Sequence, residues 1–440
     1  MTTLPILINS KPDTPIFLYK DEIITHKDFI QNVALVAKAL TKHKYAINLC
    51  EDRYLFALGF AACMLQQQVS LMPASRAEII ILEQDYEDTH RIDDELLESL
   101  LSSNDTSNKA SVSEIDANQL VAIVFTSGSS GKPKANPKKW GALVDSAHRV
   151  ASQLILNQPS QHTLVATVPP QHMYGFETTI ILPLVTGICV HSSKPFFPDD
   201  IRQTITSIKN HIILVTTPIH LRACTQTKLK WPSINFVLSA TALLSAELAQ
   251  DTEKEMHTTV QEIYGCSESG VIATRNTTQT LLWTLLEDYQ FSKRLSGVCL
   301  QTPLSDEEIL LPDQIEQIDS RHFKLLGRQS DLVKIAGKRG SLNDLKIKLC
   351  QLDGVYDAVF FMPDDHPDEK ARLAAFVIAP DLGVKEINSM FSHQVDHAFV
   401  PRPLIKVEKL PYNESGKLPR KNLLTLFKHY RNYKNLKDSA

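Results

Sequence analysis

The run Val121-Ala-Ile-Val-Phe-Thr-Ser-Gly-Ser-Ser-Gly-Lys-Pro-Lys-Ala135 restricts the fold more than any other stretch. Val121 to Phe125 is short, apolar and rich in β-branched residues, which predicts a buried strand. It ends abruptly in Thr126-Ser127-Gly128-Ser129-Ser130-Gly131, followed by Lys132-Pro133-Lys134. Small residues let backbone N–H groups approach a polyanion, the hydroxyls add donors, and the lysines add charge. A loop of this kind directly after a buried strand is built to hold phosphate. It is not a Walker loop, because the spacing differs and Pro133 follows Lys132 where Ser or Thr should open a helix.

Elsewhere the chain alternates strand and helix patterns. Thr25 and Asp28 form a capping-box pattern ahead of Phe29, Val33, Val36 and Leu40 on one helical face. A second helix is expected over Tyr54–Gln66, apolar nearly all round and so buried. Strands are expected at Leu164–Val168, Ile212–Thr216 and Asn235–Ser239, and a helix at Ser245–His257. The polar stretch Ser102–Ser111 predicts a surface connector. This alternation implies an α/β fold with stacked, largely parallel sheets.

At 440 residues the chain exceeds one simple core. From about residue 329 the pattern changes to a small α+β unit. Strands are expected at Val355–Met362, Leu373–Ile378 and Ile405–Val407, with a helix over Lys385–His397. Seven Lys or Arg and no acidic residue lie between Lys417 and Lys437, which suits a solvated basic helix face or a dock for an acidic partner. A net charge of −4 argues against nucleic-acid binding as the main task. Seven dispersed cysteines without a C-x-x-C pair, no signal-peptide pattern and no membrane-length apolar run point to the cytoplasm.

Four further segments follow the loop in order: Gln171-His-Met-Tyr-Gly-Phe-Glu177, Ile263-Tyr-Gly-Cys-Ser-Glu-Ser-Gly270, Phe323-Lys-Leu-Leu-Gly-Arg-Gln-Ser-Asp-Leu-Val-Lys-Ile-Ala-Gly337 and Pro411-Tyr-Asn-Glu-Ser-Gly-Lys-Leu-Pro-Arg420. With the loop, they resemble the ANL superfamily of acyl- and aryl-CoA synthetases, peptide-synthetase adenylation domains and luciferases. The resemblance implies a large N-terminal core over residues 1–327 and a mobile lid over 328–440. It also implies two half-reactions. A carboxylic acid and MgATP give an acyl-adenylate and pyrophosphate, and the acyl group then passes to a thiol.

The roles implied are specific. Thr126, Ser127, Gly128, Ser129, Ser130, Gly131 and Lys134 would wrap the phosphates. Glu268 resembles the family carboxylate that holds Mg²⁺, an oxygen ligand suited to a hard cation. Ser267 stands where the family usually has Thr. Tyr264, beside Gly265, would lie against adenine, with Ala240 also at the nucleotide. Asp313, fifteen residues before Arg328, matches the ribose-binding acid by spacing, although its usual Thr-Gly-Asp context is Leu-Pro-Asp here. Arg328 would contact ribose or phosphate. The hinge position falls on Ser330, with Asp331 next, where relatives carry an acidic residue or Lys. Lys417 matches the adenylation lysine, which would neutralise charge as two anions meet at the α-phosphorus.

The acid pocket is implied at His172, Tyr174, Gly175, Phe176, Ser239 and Thr241. Amino-acid-activating relatives carry an Asp where this chain has Met173 and Tyr174. The expected substrate is therefore a plain aryl or acyl acid, and the rings of Tyr174 and Phe176 suggest a flat one. The short N-terminal half and the His-Met-Tyr-Gly-Phe-Glu segment are similar to the compact synthetases of aryl-polyene and xanthomonadin pathways. These load hydroxybenzoate-type starters onto an acyl carrier protein. The phosphopantetheine acceptor implied is thus a carrier protein docking on the basic C-terminal region, or free CoA. A kinase-type NTPase and a non-catalytic binder on the same fold are the alternatives of other classes. The missing Walker pattern weighs against the first; the joint presence of Lys417, Glu268 and the loop weighs against the second.

Overall fold

Thr25 opens the first long helix. Its hydroxyl accepts from the Asp28 N–H (3.2 Å), and the Asp28 carboxylate accepts from the Thr25 N–H (3.0 Å). The helix runs His26–Ala39 and buries Phe29, Val33, Val36 and Ala37. Asp52 caps the next helix, Arg53–Leu65, which is buried on every side from Arg53 to Met64. Ser245 caps Ala246–Met256, and His257 closes it in the left-handed region. Each lies within a residue or two of its expected limits.

The structure is a computed structural model. It describes residues 2–8, 11–73, 75, 78–103, 113–127, 133–154, 156, 161–295, 297–328, 331–335, 337–363, 372–412 and 418–438. Most of the expected connector at Ser102–Ser111 lies outside the described residues. Contacts group the chain into two units: Met1–Ser292 with Leu300–Ile309 and Asp319–Phe323, and Lys293–Cys299 with Leu310–Ile318 and Lys324–Ala440.

Two large sheets lie among the described residues of the first unit. In the larger, the neighbouring strands run Trp283–Leu285, Gly270–Asn276, Val260–Cys266, Phe236–Ser239, His211–Thr216, His162–Ala166, Cys189–His191, Pro15–Tyr19 and Glu22–Thr25. From Val260–Cys266 to Pro15–Tyr19 every pairing is parallel, and the flanking pairings are antiparallel. One face packs Val165, Leu214 and Val237 on Ile201, Leu221, Leu248 and Met256. The smaller sheet runs Thr89–Ile92, Tyr45–Asn48, Val69–Met72, Leu120–Ser127 and Pro133–Lys139, parallel except for the last pair. The expected strand Val121–Phe125 thus lies within Leu120–Ser127.

The second unit contains a three-stranded sheet. Asp357–Phe361 runs antiparallel to Ala374–Ile378, which is parallel to Leu404–Lys406. The strand period of two divides its side chains. Ala358 and Phe360 join Leu345, Leu349, Ile387 and Phe391, while Val359 and Phe361 join Leu423 and Phe427. Those last two belong to the C-terminal helix Arg420–Asp438, which leaves Arg420, Lys421, Lys428 and Arg431 exposed. Among the described residues, no helix is long and apolar enough to cross a membrane.

Arg53 ties a helix start to two strand ends. It is fully buried, and its guanidinium donates to Ser193 O (2.6 Å), Ala166 O (2.8 Å) and Val168 O. Burial lowers its pKa to about 9, opposed by Asp52, so the charge survives at neutral pH. Arg53→Met should strand those carbonyls and lower stability by about 3 kcal/mol or more. A shift of the urea midpoint at constant m-value is the measurement. An unchanged midpoint would contradict the role.

Candidate active site

Three neighbouring parallel strands, His162–Ala166, His211–Thr216 and Phe236–Ser239, end side by side. Open parallel sheets collect ligands outside such carboxyl ends. The segments leaving them carry Thr167 and His172, Thr217 and His220, and Ala240 and Thr241. The Thr167 and Thr216 hydroxyls lie 2.8 Å apart, and His220 Nδ1 is 3.0 Å from the Thr217 hydroxyl. Burial lowers the His220 pKa to about 4, so the ring is neutral at neutral pH.

Above these ends, helix Met173–Phe176 continues as a π-helical turn, Glu177–Ile181. Turns of this type recur at functional sites. Tyr174 hydroxyl donates to Leu238 O (2.8 Å) and Thr216 O (3.2 Å), fixing the helix to the sheet, and burial keeps that hydroxyl protonated. Gly175 is required by the Pro169 carbonyl, because a Cβ there would sit 1.9 Å from that oxygen. Phe176 is fully buried and packs edge-on against Phe60 (5.1 Å between centroids). The two rings expected to line the acid pocket thus take different directions. Positions two apart on a helix point in nearly opposite directions, about 200° apart, so Phe176 fills the core.

Gln171 Oε1, His220 Nε2, Ser239 Oγ and Thr241 Oγ1 are buried with no hydrogen-bond partner among the described residues. Ser239 is fully buried and Ala240 nearly so. Thr241 has φ +77°, an outlier for a β-branched residue. Unpaired buried polar atoms and backbone strain are costly, and both concentrate at ligand sites.

A second cluster surrounds Glu268, on the turn between strands Val260–Cys266 and Gly270–Asn276. Lys134 Nζ donates to Glu268 Oε1 at 2.6 Å. Burial, the largest single influence, raises the Glu268 pKa, but the hydrogen bond and charge of Lys134 together with the local backbone and Cys266 hydrogen bonds outweigh it, and the carboxyl ends below the ordinary range. Lys138, two strand periods further along Pro133–Lys139, donates to the Glu268 carbonyl oxygen at 2.9 Å. Ser267 is half-buried beside Glu268, and Gly265 is exposed. Tyr264, at the base of the same hairpin, has its ring 5.7 Å from Trp283 and 5.9 Å from Phe323. Thr126 pairs with Lys134 across Leu120–Ser127 and Pro133–Lys139. The first unit therefore brings together Lys134, Glu268, Ser267, Thr126 and the end of the strand at Ser127.

Asp313, Arg328 and Asp331 belong to the second unit, Asp313 opening strand Asp313–Gln317 and Arg328 closing His322–Arg328. Gly128, Ser129, Ser130, Gly131, Ser330 and Lys417 lie outside the described residues. Sequence reasoning missed Lys138, His220 and Ser146. Lys138 was reachable, since it shares the strand face of Lys134 by alternation.

Glu177 is 8% exposed and accepts from the Ser146 hydroxyl at 3.1 Å. Burial raises its pKa to about 7, against opposing contributions led by Lys138. A carboxyl whose folded pKa exceeds its unfolded value contributes stability below the unfolded pKa and loses it as pH rises through the folded one. Wild type should therefore lose stability relative to Glu177→Gln between pH 4.5 and about 7. Paired thermal midpoints across that window test the assignment, and a constant difference would refute it.

The profile of the AMP-binding enzyme family matches residues 41–294. The 4-coumarate–CoA ligase of Halorhodospira halophila is 24% identical over 313 residues, covering 67% of this chain and 73% of that protein. The 3,4-dihydroxybenzoate–[aryl-carrier protein] ligase of Bacillus anthracis is 23% identical over 310 residues, covering 68% and 73%. In fold, the crystal structure of ATP-bound MatB from Rhodopseudomonas palustris superposes with a TM-score of 0.79 at 14% identity, covering 95% of this chain and 96% of that one. This chain belongs to the AMP-binding enzyme family, within the ANL superfamily of adenylate-forming enzymes, and is an AMP-forming ligase that activates a carboxylic acid.

Proposed function

We propose that the enzyme activates an aryl or acyl carboxylic acid, best a hydroxybenzoate-type acid, and passes it to the phosphopantetheine thiol of an acyl carrier protein. The observation that carries this reading is the set of buried, unpartnered polar atoms on Gln171, His220, Ser239 and Thr241 at adjoining strand ends. Such atoms favour a ligand that supplies both a carboxylate and a ring hydroxyl, because a purely apolar tail would leave them unpaired. His172 and Tyr174 would border the same acid. No acidic side chain stands at Met173 or Tyr174 to meet an α-ammonium, which disfavours amino acids.

ATP would lie with its phosphates on the loop Thr126–Gly131 and Lys134, its adenine by Tyr264, Gly265 and Ala240, and its ribose at Asp313 and Arg328. Glu268 fits a Mg²⁺ ligand because it is a partly exposed carboxylate held in its charged form. A cation there would spread the phosphate charge. Lys134, now paired with Glu268, would exchange that partner for phosphate oxygens. Residues 328–440 would act as a lid turning about Ser330 and Asp331. The lid would deliver Lys417 to the α-phosphate as the acid's carboxylate attacks and pyrophosphate leaves. The carrier-protein reading draws on the Bacillus anthracis relative's name and on the exposed basic face of Arg420, Lys421, Lys428 and Arg431. The Halorhodospira relative's name favours free CoA as the second reading. Dispersed cysteines suit a cytoplasmic setting for either.

Acid-dependent ATP–pyrophosphate exchange tests the first half-reaction with hydroxybenzoates, cinnamates, medium-chain fatty acids and amino acids. Hydroxybenzoates should give the fastest exchange, and a preference for unsubstituted fatty acids would overturn the substrate class. Lys417→Ala should abolish exchange with every acid while ATP binding by calorimetry persists. Near-normal exchange in that variant would sink the lysine's role.

A further inference from the structure

Glu177 has no part in the chemistry above, yet its surroundings lead to the Glu268 turn. Its carboxyl accepts from the Ser146 hydroxyl and from the Val271 backbone N–H. Gly270, at φ +75°, lets it come that close: a Cβ there would stand 2.3 Å from Glu177 Oε1. Glu177 therefore seats on the backbone where strand Gly270–Asn276 leaves the turn. The tip of the turn is held by Lys138, 8% exposed, whose ammonium donates to the Glu268 carbonyl oxygen at 2.9 Å. Burial disfavours the charged form of Lys138, and the Glu177 carboxyl is the first of the groups that offset it. A hairpin tip held by its own ladder alone opens locally at low free energy. Here a helix and a neighbouring strand each place a buried ionisable side chain against it.

We infer that Lys138 and Glu177 are positioning residues for acid activation. They form a buried acid–base clamp that grips the turn Ser267–Ser269 at its tip and at its exit and aims the Glu268 carboxylate at the nucleotide's cation. The inference rests on the reading of Glu268 as the Mg²⁺ ligand. Neither residue touches substrate, so their effect should appear in the order of the turn and in the Mg²⁺ requirement.

The test uses the full chain with Lys138→Met, Lys138→Arg, Glu177→Gln and Glu268→Gln. Amide hydrogen exchange is read on peptides spanning residues 264–272, and pyrophosphate exchange is read against Mg²⁺ concentration. Lys138→Met should speed amide exchange in that segment, and raise the half-saturating Mg²⁺, by about tenfold or more. Lys138→Arg, which keeps a charged donor, should recover most of both. Glu177→Gln should loosen the same segment without lowering the thermal midpoint, a combination that general destabilisation does not produce. If Lys138→Met fails to fold, Glu177→Gln and Lys138→Arg carry the comparison. Wild-type protection of residues 264–272 in Glu177→Gln overturns the clamp. Wild-type Mg²⁺ dependence in Glu268→Gln would instead sink the metal-ligand reading, leaving the clamp to be judged by amide exchange alone.

Discussion

Two lysines on one face of a strand hold both ends of a single residue. Lys134 meets the carboxylate of Glu268 and Lys138 meets its carbonyl oxygen. The geometry of the site follows from this double attachment. It joins the smaller sheet, which carries the phosphate-loop sequence, to the larger sheet, whose hairpin carries Glu268. Lys134 is exposed and can exchange partners, whereas Lys138 is buried and held. A mobile cation beside a fixed one suits a site that must receive a polyanion and keep its own carboxylate in place, since an exposed pair contributes little to stability and a buried hydrogen-bonded charge is hard to displace.

Local structure was readable wherever one short-range cause decided it. Thr25 with Asp28 set a helix start, Ser245 set another, and alternation divided Ala358 and Phe360 from Val359 and Phe361. The ordered motifs were enough to indicate the family, because each ties a residue type to one chemical task. Side-chain direction was harder to read. Tyr174 and Phe176 stood together as pocket rings on paper, but the helix turns them apart, one to strand-end carbonyls and one to Phe60. Long-range pairing was not readable at all. Lys134 and Glu268 are 134 residues apart, and nothing local to either specifies the meeting. The role of Glu177 was unreadable for the same reason: its partners come from a strand, a helix and a hairpin that only the fold assembles.

The proposed acid end of the site is marked by strain and unmet polarity. Thr241 occupies a backbone region that glycine would enter without penalty, and its hydroxyl is among the buried atoms lacking a partner. Such features persist where the surroundings over-determine them. The surroundings here are firm: Tyr174 binds two strand-end carbonyls, and Arg53 binds the carbonyls of Ala166 and Val168 just before the His172 segment. The framework uses the hydrogen bonds of Tyr174 and Arg53 to hold a small set of polar atoms that remain unmet.

The C-terminal helix carries apolar packing on one face and basic charge on the other. Leu423 and Phe427 bury one face of Arg420–Asp438 against Val359 and Phe361, and Phe427 stands edge-on to Phe361 at 5.5 Å. That packing accounts for the apolar spacing. It does not account for the absence of acidic residues between Lys417 and Lys437, because any soluble mixture of charges would cover the outer face equally well. A helix whose exposed charges at Arg420, Lys421, Lys428 and Arg431 share one sign generates a directed field. The field costs self-repulsion along the helix, a cost that a mixed surface would avoid and that an acidic partner would offset.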